Sequence, residues 1–314
     1  MKMPKQIKLS IVTPVFNEEQ NISLFYSKVT KVLKKLRKSY EIWFIDDGSR
    51  DSTLKAIKAL QKKDKHVKFI TFRRNFGKAA ALSAGFEHAN GDIIITMDGD
   101  LQDEPEEIPK FIVKIEEGYD LVNGWKFKRK DPLSKTIPSK FFNWLTSRMI
   151  GVKLHDFNCG FKAYRKEVVK EITLYGDLHR YIPAIAFWKG YKIAELPVKH
   201  NERLYGKSKY GSKRILTGFI DLMTVKYLIS YTTKPLQLFG KVGLLFILLG
   251  LISGTYLVIE WFQGIGIGGR PLLTLSVLMT LVGIQFLSIG LLGEMITSSM
   301  EKQNKSYSIK ELKD

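Results

Sequence analysis

The chain has 314 residues, one cysteine and a net charge of +19. One cysteine excludes an intrachain disulfide framework, and this length holds one large domain or two smaller ones. Residues 1–122 carry +3, residues 123–241 carry +16 and residues 242–314 carry 0, so the basic excess lies just ahead of an apolar tail. Such a segment suits nucleic acid, anionic lipid headgroups or phosphate-bearing substrates.

Met1 to Lys8 is polar and basic and the next apolar run is short, so no secretory signal is expected. Leu9 to Thr13 reads as a short strand ending at Pro14. Ile22, Phe25, Val29, Val32, Leu33 and Leu36 fall at helical spacing and predict a helix over 22–36. Glu41 to Ile45 is a second strand, running into Asp46-Asp47-Gly48-Ser49. Asp51 or Ser52 can cap a helix through Leu54, Ile57 and Leu60. Val67 to Phe72 is a third strand, and the alanine-rich stretch from Lys78 to Ala89 is helical.

Ile93-Ile94-Ile95-Thr96 then reads as a buried strand that runs through Met97 into Asp98-Gly99-Asp100. Glycine between the acids allows a tight turn, so both carboxylates can face one point. Two close carboxylates repel and favour a divalent cation between them; hard oxygens suit Mg²⁺ or Mn²⁺. Pro105 opens a helix continued by Ile108 to Ile115, and Leu121-Val122 is a fifth strand. Strands alternating with helices imply an α/β fold with a mostly parallel, Rossmann-like sheet. In such a sheet three polar strand ends share one rim: Pro14 to Glu19, Asp46 to Ser49, and Asp98 to Asp100. No Gly-x-Gly-x-x-Gly follows the first strand and no Gly-Lys-Ser/Thr run occurs, which excludes the dinucleotide fingerprint and the P-loop.

The tail narrows the partners. Val242 to Ile259 and Pro271 to Gly293 carry no charge. Each is long enough to cross a hydrocarbon core of ~30 Å as a helix. Lys226, Lys234 and Lys241 precede the first span, and Lys302, Lys305, Lys310 and Lys313 follow the second. The positive-inside rule then puts both termini in the cytoplasm and the short loop outside. With the basic segment abutting a membrane anchor, nucleic acid is not an expected partner.

Thr13-Pro14-Val15-Phe16-Asn17-Glu18-Glu19, Asp46-Asp47-Gly48-Ser49, Arg74-Asn75-Phe76-Gly77-Lys78, Asp98-Gly99-Asp100-Leu101-Gln102-Asp103 and Asn158-Cys159-Gly160-Phe161-Lys162 together resemble a family-2 glycosyltransferase of the GT-A fold. Within that family the chain is similar to polyisoprenyl-phosphate glycosyltransferases, and two C-terminal spans match the bacterial bactoprenol glucosyltransferases. The resemblance implies that Pro14, Asn17, Glu18 and Asp46 line a nucleoside pocket and that Lys78 belongs to the nucleotide-sugar site. It implies that Asp98, Asp100 and Gln102 surround Mg²⁺ or Mn²⁺ and the donor diphosphate. Lys126 stands where relatives usually carry arginine; it keeps the charge and loses the bidentate fork.

In the second half, Leu133 to Ile150 and Arg214 to Tyr231 are amphipathic, basic and aromatic, and the second leads into the first span. In the resembled family Asp156 lies near the acceptor. A polyprenyl phosphate has a second pKa near ~6, so its oxygen is already largely ionised at neutral pH. Asp156 is therefore a candidate for positioning as much as for proton removal. His155 reads as a structural or surface histidine, and Cys159 as a small buried side chain. Arg129, Arg203 and Lys209 are candidates for neutralising donor or acceptor phosphates, and the other lysines nearby suit an anionic lipid surface.

The implied reaction is an inverting single displacement. It carries a sugar, with glucose from UDP-glucose as the leading expectation, to a membrane polyprenyl phosphate. The expected layout is a cytoplasmic GT-A domain over 1–210, juxtamembrane amphipathic helices over 211–234, two spans over 235–297 and a cytoplasmic tail over 298–314, in a bacterial-type inner membrane. A homo-oligomer is compatible with this layout. Two rivals stand beside it. A processive polysaccharide synthase would usually carry Gln-x-x-Arg-Trp, and no Arg-Trp pair occurs here. A non-catalytic membrane adaptor would have no need of three carboxylate-bearing turns.

Overall fold

The computed structural model describes residues 8–127, 143–174, 176, 178–201, 214–231 and 234–301. It divides into two units, Met1–Val225 and Lys226–Asp314. The first holds β1 (Leu9–Val15), α1 (Ile22–Leu36), β2 (Tyr40–Asp46), α2 (Thr53–Lys63), β3 (Val67–Thr71), α3 (Lys78–His88), β4 (Ile93–Thr96), a 3₁₀ turn at Pro105–Glu107, α4 (Ile108–Glu116) and β5 (Leu121–Lys126). A helix over residues 143–150 (α5) follows, then β6 (Lys162–Arg165), α6 (Lys166–Glu171), α7 (Ile182–Trp188) and β7 (Ile193–Val198). Helix α8 spans Arg214–Tyr231.

One seven-stranded sheet runs in the order β3-β2-β1-β4-β6-β5-β7. All pairs are parallel except the two made by β6. The predicted alternation is thus observed over the first half. β6 and β7, which lie in stretches the sequence reading left without strands, extend it. The first strand runs past its predicted end, through Pro14 to Val15. Its ladder with β4 stops at Val12↔Thr96, so Pro14 faces only β2, where Ile45 is its partner. Proline is tolerated there because one side of the strand is already an edge.

Side-chain alternation builds two apolar layers. Leu9, Ile11, Ile93 and Ile95 pack with Phe25, Val29 and Leu33 of α1 and Phe111 of α4 on one face. Val12, Ile45 and Ile94 pack with Leu82 and Phe86 of α3 and Ile182 of α7 on the other. At the amino ends of the strands, Glu41 is almost wholly buried and ties three elements together. Its carboxylate accepts hydrogen bonds from Ser10 Oγ at 2.6 Å, Asn90 N at 2.7 Å and Lys68 Nζ at 2.8 Å. The polar turns after β1, β2 and β4 lie at the opposite, carboxyl-end rim.

In the second unit, α9 (Pro235–Phe262) and α10 (Pro271–Glu301) are long and apolar enough to cross a membrane. Small residues let them approach closely. A Cβ on Gly243 would lie 2.7 Å from Gly283 O, and one on Gly283 would lie 2.6 Å from Gly243 O. Glu294 Oε2 accepts the Leu236 N–H at 3.3 Å, satisfying an orphan donor at the start of α9. Glu260 and Arg270 pair where the two helices join. Leu245, Leu248, Ile252, Leu278, Leu281 and Leu292 stay exposed, as a lipid-facing surface requires.

Candidate active site

The parallel register places Val15 beside Asp46, and Thr96 beside Val12, so the polar ends of β1, β2 and β4 share one rim. The turn after β1 is stitched to the turn after β2. Asn17 adopts a left-handed φ of 52°. Its N–H donates to Ser49 Oγ at 2.9 Å and its Oδ1 accepts from Arg50 N at 2.8 Å. Glu18 N donates to Thr53 Oγ1 at 2.8 Å. These contacts spend Asn17 and the Glu18 backbone on loop structure.

Asp46 is buried and accepts from Ser49 N at 3.0 Å and Thr71 Oγ1 at 2.9 Å. It lines a cleft of about 310 Å³ with Phe16, Ser49, Thr71, Arg73 and Arg74. This is the low end of the size range of small-molecule sites. Asp47 points instead at the next loop and accepts Phe76 N at 2.7 Å and Gly77 N at 2.9 Å. Burial pushes its carboxyl up, against those two hydrogen bonds. The loop so fixed delivers Lys78 as the first residue of α3.

Lys78 Nζ lies 2.5 Å from Asp98 Oδ1. Burial opposes ionisation of Asp98, but the ammonium groups of Lys78, Lys126 and Lys162 outweigh it and hold the carboxyl below its ordinary range. Asp100 is buried in the same turn and accepts Gln102 N at 3.2 Å. Asp103 is also buried; burial, with Asp98 and Asp100 nearby, pushes its carboxyl up. Its Oδ1 has no hydrogen-bond partner among the described residues. The backbone of Gly160 sits where only glycine fits, since a Cβ there would be 2.5 Å from Asp98 Oδ2.

Among the described residues no three His, Cys, Asp or Glu side chains form a ready metal cage. The donor set is Asp98 and Asp100, with an orphaned Asp103 oxygen close by. Such a set fits a hard cation that takes one or two carboxylates and completes its shell with phosphates and water. The Gln102 side chain turns toward the end of β7, where Nε2 donates to Asn201 O at 3.2 Å.

A second cluster stands at the end of β5. Asp156 is buried, and its Oδ1 accepts Asn158 N at 3.1 Å. Asn123 Nδ2 donates to Asp156 O at 2.7 Å. Glu195 of β7 accepts the Asp156 N–H at 3.1 Å. His155 is 65% exposed and stacks on Trp125 with ring centroids 4.0 Å apart.

The structure therefore gathers Lys78, Asp98 and Asp100 at the end of β4 beside Lys126 at the end of β5, with Asp156 in the loop before β6, tied to β5 through Asn123. Asp46 lines the neighbouring cleft, and Pro14, Asn17 and Glu18 form its supporting turn. Arg129, Arg203 and Lys209 lie outside the described residues. Sequence reasoning missed Lys162, Asp103, Asp47 and Glu195. Lys162 is buried and its Nζ donates to Cys159 O; burial pulls its ammonium down to about 8. It stood inside a quoted motif, and a lysine at the start of a strand between two other strands was the available signal. Glu195 lies far along the chain and only the β5·β7 pairing, with Asn123 opposite Glu195, brings it in.

Comparison with known proteins adds to this geometry. Residues 10–173 match the model described as Glycosyl transferase family 2, and residues 234–299 match the GtrB C-terminal hairpin. The chain is 36% identical to a dodecaprenyl-phosphate galacturonate synthase of Rhizobium johnstonii, over 99% of this chain and 94% of that protein. It is 39% identical to an undecaprenyl-phosphate 4-deoxy-4-formamido-L-arabinose transferase of Shewanella sediminis, over 92% and 86% of the two chains. In fold it is similar to glucosyl-3-phosphoglycerate synthase from Mycobacterium tuberculosis, solved with Mn²⁺, UDP and glucosyl-3-phosphoglycerate. That likeness has a TM-score of 0.54 at 17% identity, covering 71% of this chain and 80% of that one.

Proposed function

The chain belongs to glycosyl transferase family 2, and from that premise we propose that it transfers a sugar from a UDP-sugar to the phosphate of a polyprenyl lipid. The carrying observation is the Lys78–Asp98 ion pair at 2.5 Å, with the charges of Lys126 and Lys162 also acting on Asp98. A reaction that joins two phosphate-bearing substrates must first offset their mutual repulsion, and cations held on a rigid rim do so without reorganising. The two relatives named above act, by their names, on prenyl phosphates, and both match nearly the whole chain, hairpin included.

Each residue has a stated task in this reading. Asp46 and the 310 Å³ cleft receive the nucleoside, on the turn supported by Pro14, Asn17 and Glu18. Asp98 and Asp100 would hold Mg²⁺ or Mn²⁺, with Gln102 alongside. Such an ion supplies Lewis-acid stabilisation of the leaving diphosphate. Lys126 faces the acceptor side with Asp156, which orients the attacking phosphate oxygen; ionised at neutral pH, that oxygen needs no strong base. Arg129, Arg203 and Lys209 are assigned to the phosphates. The hairpin of α9 and α10 anchors the enzyme as an integral membrane protein, and the lysines flanking it favour a cytoplasmic active site facing an anionic leaflet. In this assignment residues 1–210 carry the chemistry and residues 211–234 lie along the membrane surface.

The sugar is the open choice. Glucose is the sequence-based expectation, whereas the relatives are named for galacturonate and 4-deoxy-4-formamido-L-arabinose. The test offers radiolabelled UDP-glucose, UDP-galacturonate, UDP-4-deoxy-4-formamido-L-arabinose and GDP-mannose to the full-length protein with undecaprenyl phosphate. Each donor is run with Mg²⁺, Mn²⁺ or chelator. The reading requires label in a mild-acid-labile lipid from one UDP-sugar, abolished by chelator and by Asp100→Asn. Nucleotide binding without any lipid product would reject the acceptor.

A further inference from the structure

Asp98 and Gly160 face each other because of strand direction. β6 runs antiparallel to β4, and Thr96 opposite Lys162 is the last pair of that ladder. Carried two residues further, the same register sets Asp98 opposite Gly160. Opposite residues of an antiparallel pair send their side chains to one face, with Cβ atoms about 5 Å apart. Here the Asp98 side chain folds over the other residue. A Cβ on Gly160 would lie 2.5 Å from Asp98 Oδ2, 2.7 Å from its Cγ and 2.8 Å from its Oδ1. Gly160 is not among the glycines with positive φ. The position therefore needs glycine for space, not for backbone freedom.

The backbone at Gly160 has little room to retreat. Both carbonyls beside its Cα are held: Lys162 Nζ donates to Cys159 O, and Thr96 Oγ1 donates to Gly160 O at 2.8 Å. The next carbonyl, Phe161 O, accepts Gly124 N at 2.9 Å. Thr96, Cys159 and Lys162 are all buried, whereas the Asp98 side chain is 30% exposed. A side chain added at 160 would thus displace the carboxylate before it displaced the loop. The same loop carries Asp156, four residues earlier. There Glu195 Oε1 accepts the Asp156 N–H at 3.1 Å, and Asn123 Nδ2 donates to Asp156 O at 2.7 Å.

We propose that Gly160 is a positioning residue for the cation site: its bare Cα is the seat against which the Asp98 carboxylate rests, so the loop that carries Asp156 on the acceptor side also fixes a ligand on the donor side. The inference rests on the metal reading of Asp98 given above and adds what holds that ligand in place. A cation bound through only one or two carboxylates depends strongly on each of them. Mg²⁺ demands near-ideal octahedral geometry, so it should feel a shifted carboxylate more than Mn²⁺ does.

The test uses the full-length protein in detergent, with Gly160→Ala, Asp98→Ala and the variant carrying both changes. Free Mn²⁺ is followed by electron paramagnetic resonance in the presence of UDP. Gly160→Ala should bind Mn²⁺ about 10- to 100-fold more weakly than the wild type, the usual loss when a ligand's support is altered. Competition with Mg²⁺ should show a larger loss for Mg²⁺. A second readout needs no metal. Gly160→Ala should lower the melting temperature of the metal-free protein by about 2–8 °C. In the Asp98→Ala background the same change should cost far less, because the nearest atoms that the new Cβ would meet are gone. Should Gly160→Ala fail to fold, recovery of folded protein in the double variant supports the seat, and no recovery overturns it. Wild-type Mn²⁺ affinity in folded Gly160→Ala would overturn the proposal, as would equal melting losses in the two backgrounds. A wild type that binds no Mn²⁺ with UDP or GDP, beside melting losses that differ between backgrounds, would instead overturn the metal reading beneath it.

Discussion

Glu195 grips His155 at two points. Its Oε2 lies 2.7 Å from His155 Nδ1, and its Oε1 accepts the His155 backbone N–H at 3.0 Å. The same Oε1 accepts the Asp156 N–H at 3.1 Å. One carboxylate on an outer strand therefore sets both the ring of His155 and the backbone from which Asp156 projects. The sequence reading of His155 as a structural or surface histidine fits this in part. The ring is exposed, yet it is clamped on one side and stacked on Trp125 on the other.

Glu195→Ala should lower sugar transfer about 10- to 100-fold, because small displacements of positioned groups carry penalties of that order. The loss should fall mainly on kcat, with lipid KM changed less. Glu195→Gln keeps an acceptor oxygen for the two N–H groups and should recover part of the rate. Steady-state kinetics with varied lipid acceptor decide it; an unchanged rate in the alanine variant would show that the turn holds without its clamp.

The network at Glu41 makes a prediction about pH. Burial would raise its carboxyl, but hydrogen bonds from Lys68 and Ser10 Oγ, the Asn90 N–H and the Lys68 charge hold it at about 2, below its ordinary 4.5. A carboxyl lowered in the folded state stabilises the fold fully above its unfolded value and ceases to as pH falls through the folded value. The wild type should therefore lose up to about 3 kcal/mol of stability between roughly pH 5 and pH 2 from this group. Denaturant unfolding at a series of pH values should show that slope, and Glu41→Gln should remove it while lowering stability at pH 7.

Burial pushes the Cys159 thiol up to about 12. Thiolate is scarce at pH 8, so iodoacetamide should modify the native protein at least ~100-fold more slowly than the unfolded chain. Mass spectrometry of timed aliquots measures both rates. Rapid labelling of the native form would mean that the Gly124–Cys159 packing opens readily.

Gly283→Leu should destabilise the hairpin by about 1–3 kcal/mol, the usual range for overpacking. Gly254→Leu is the matched control, because nothing lies within 4 Å of a Cβ built there. Thermal unfolding of the two variants in the same detergent should separate them clearly; equal melting would argue against the close Gly243–Gly283 contact.

The first half of the fold was open to reading because its strands are apolar and its helices periodic. Ile22 to Leu36 was predicted and is observed over those residues. Lys162-Ala-Tyr-Arg165 escaped notice because four residues with two cations carry no alternation to speak of. Ile193 to Val198 escaped because Pro197 interrupts a run that also includes Glu195. At the site, the carboxylate turns were visible as short motifs. Of the lysines that neutralise them, Lys78 and Lys126 were read as site residues, whereas Lys162, though inside a quoted motif, was not, since it reaches Asp98 only through strand pairing across the sheet.

The reversed direction of β6 has one more result. Because Asn123 of β5 lies opposite Lys162 of β6, the chain departs from the rim at Lys126 and returns to that rim at Lys162. The segment between them leaves and re-enters the sheet at two lysines whose charges both act on Asp98. Under the proposed function, exchanging this one segment should move acceptor preference, as a tool head is changed on a fixed handle. A chimera carrying a relative's segment between those two lysines is the natural way to move acceptor choice without retuning the donor side.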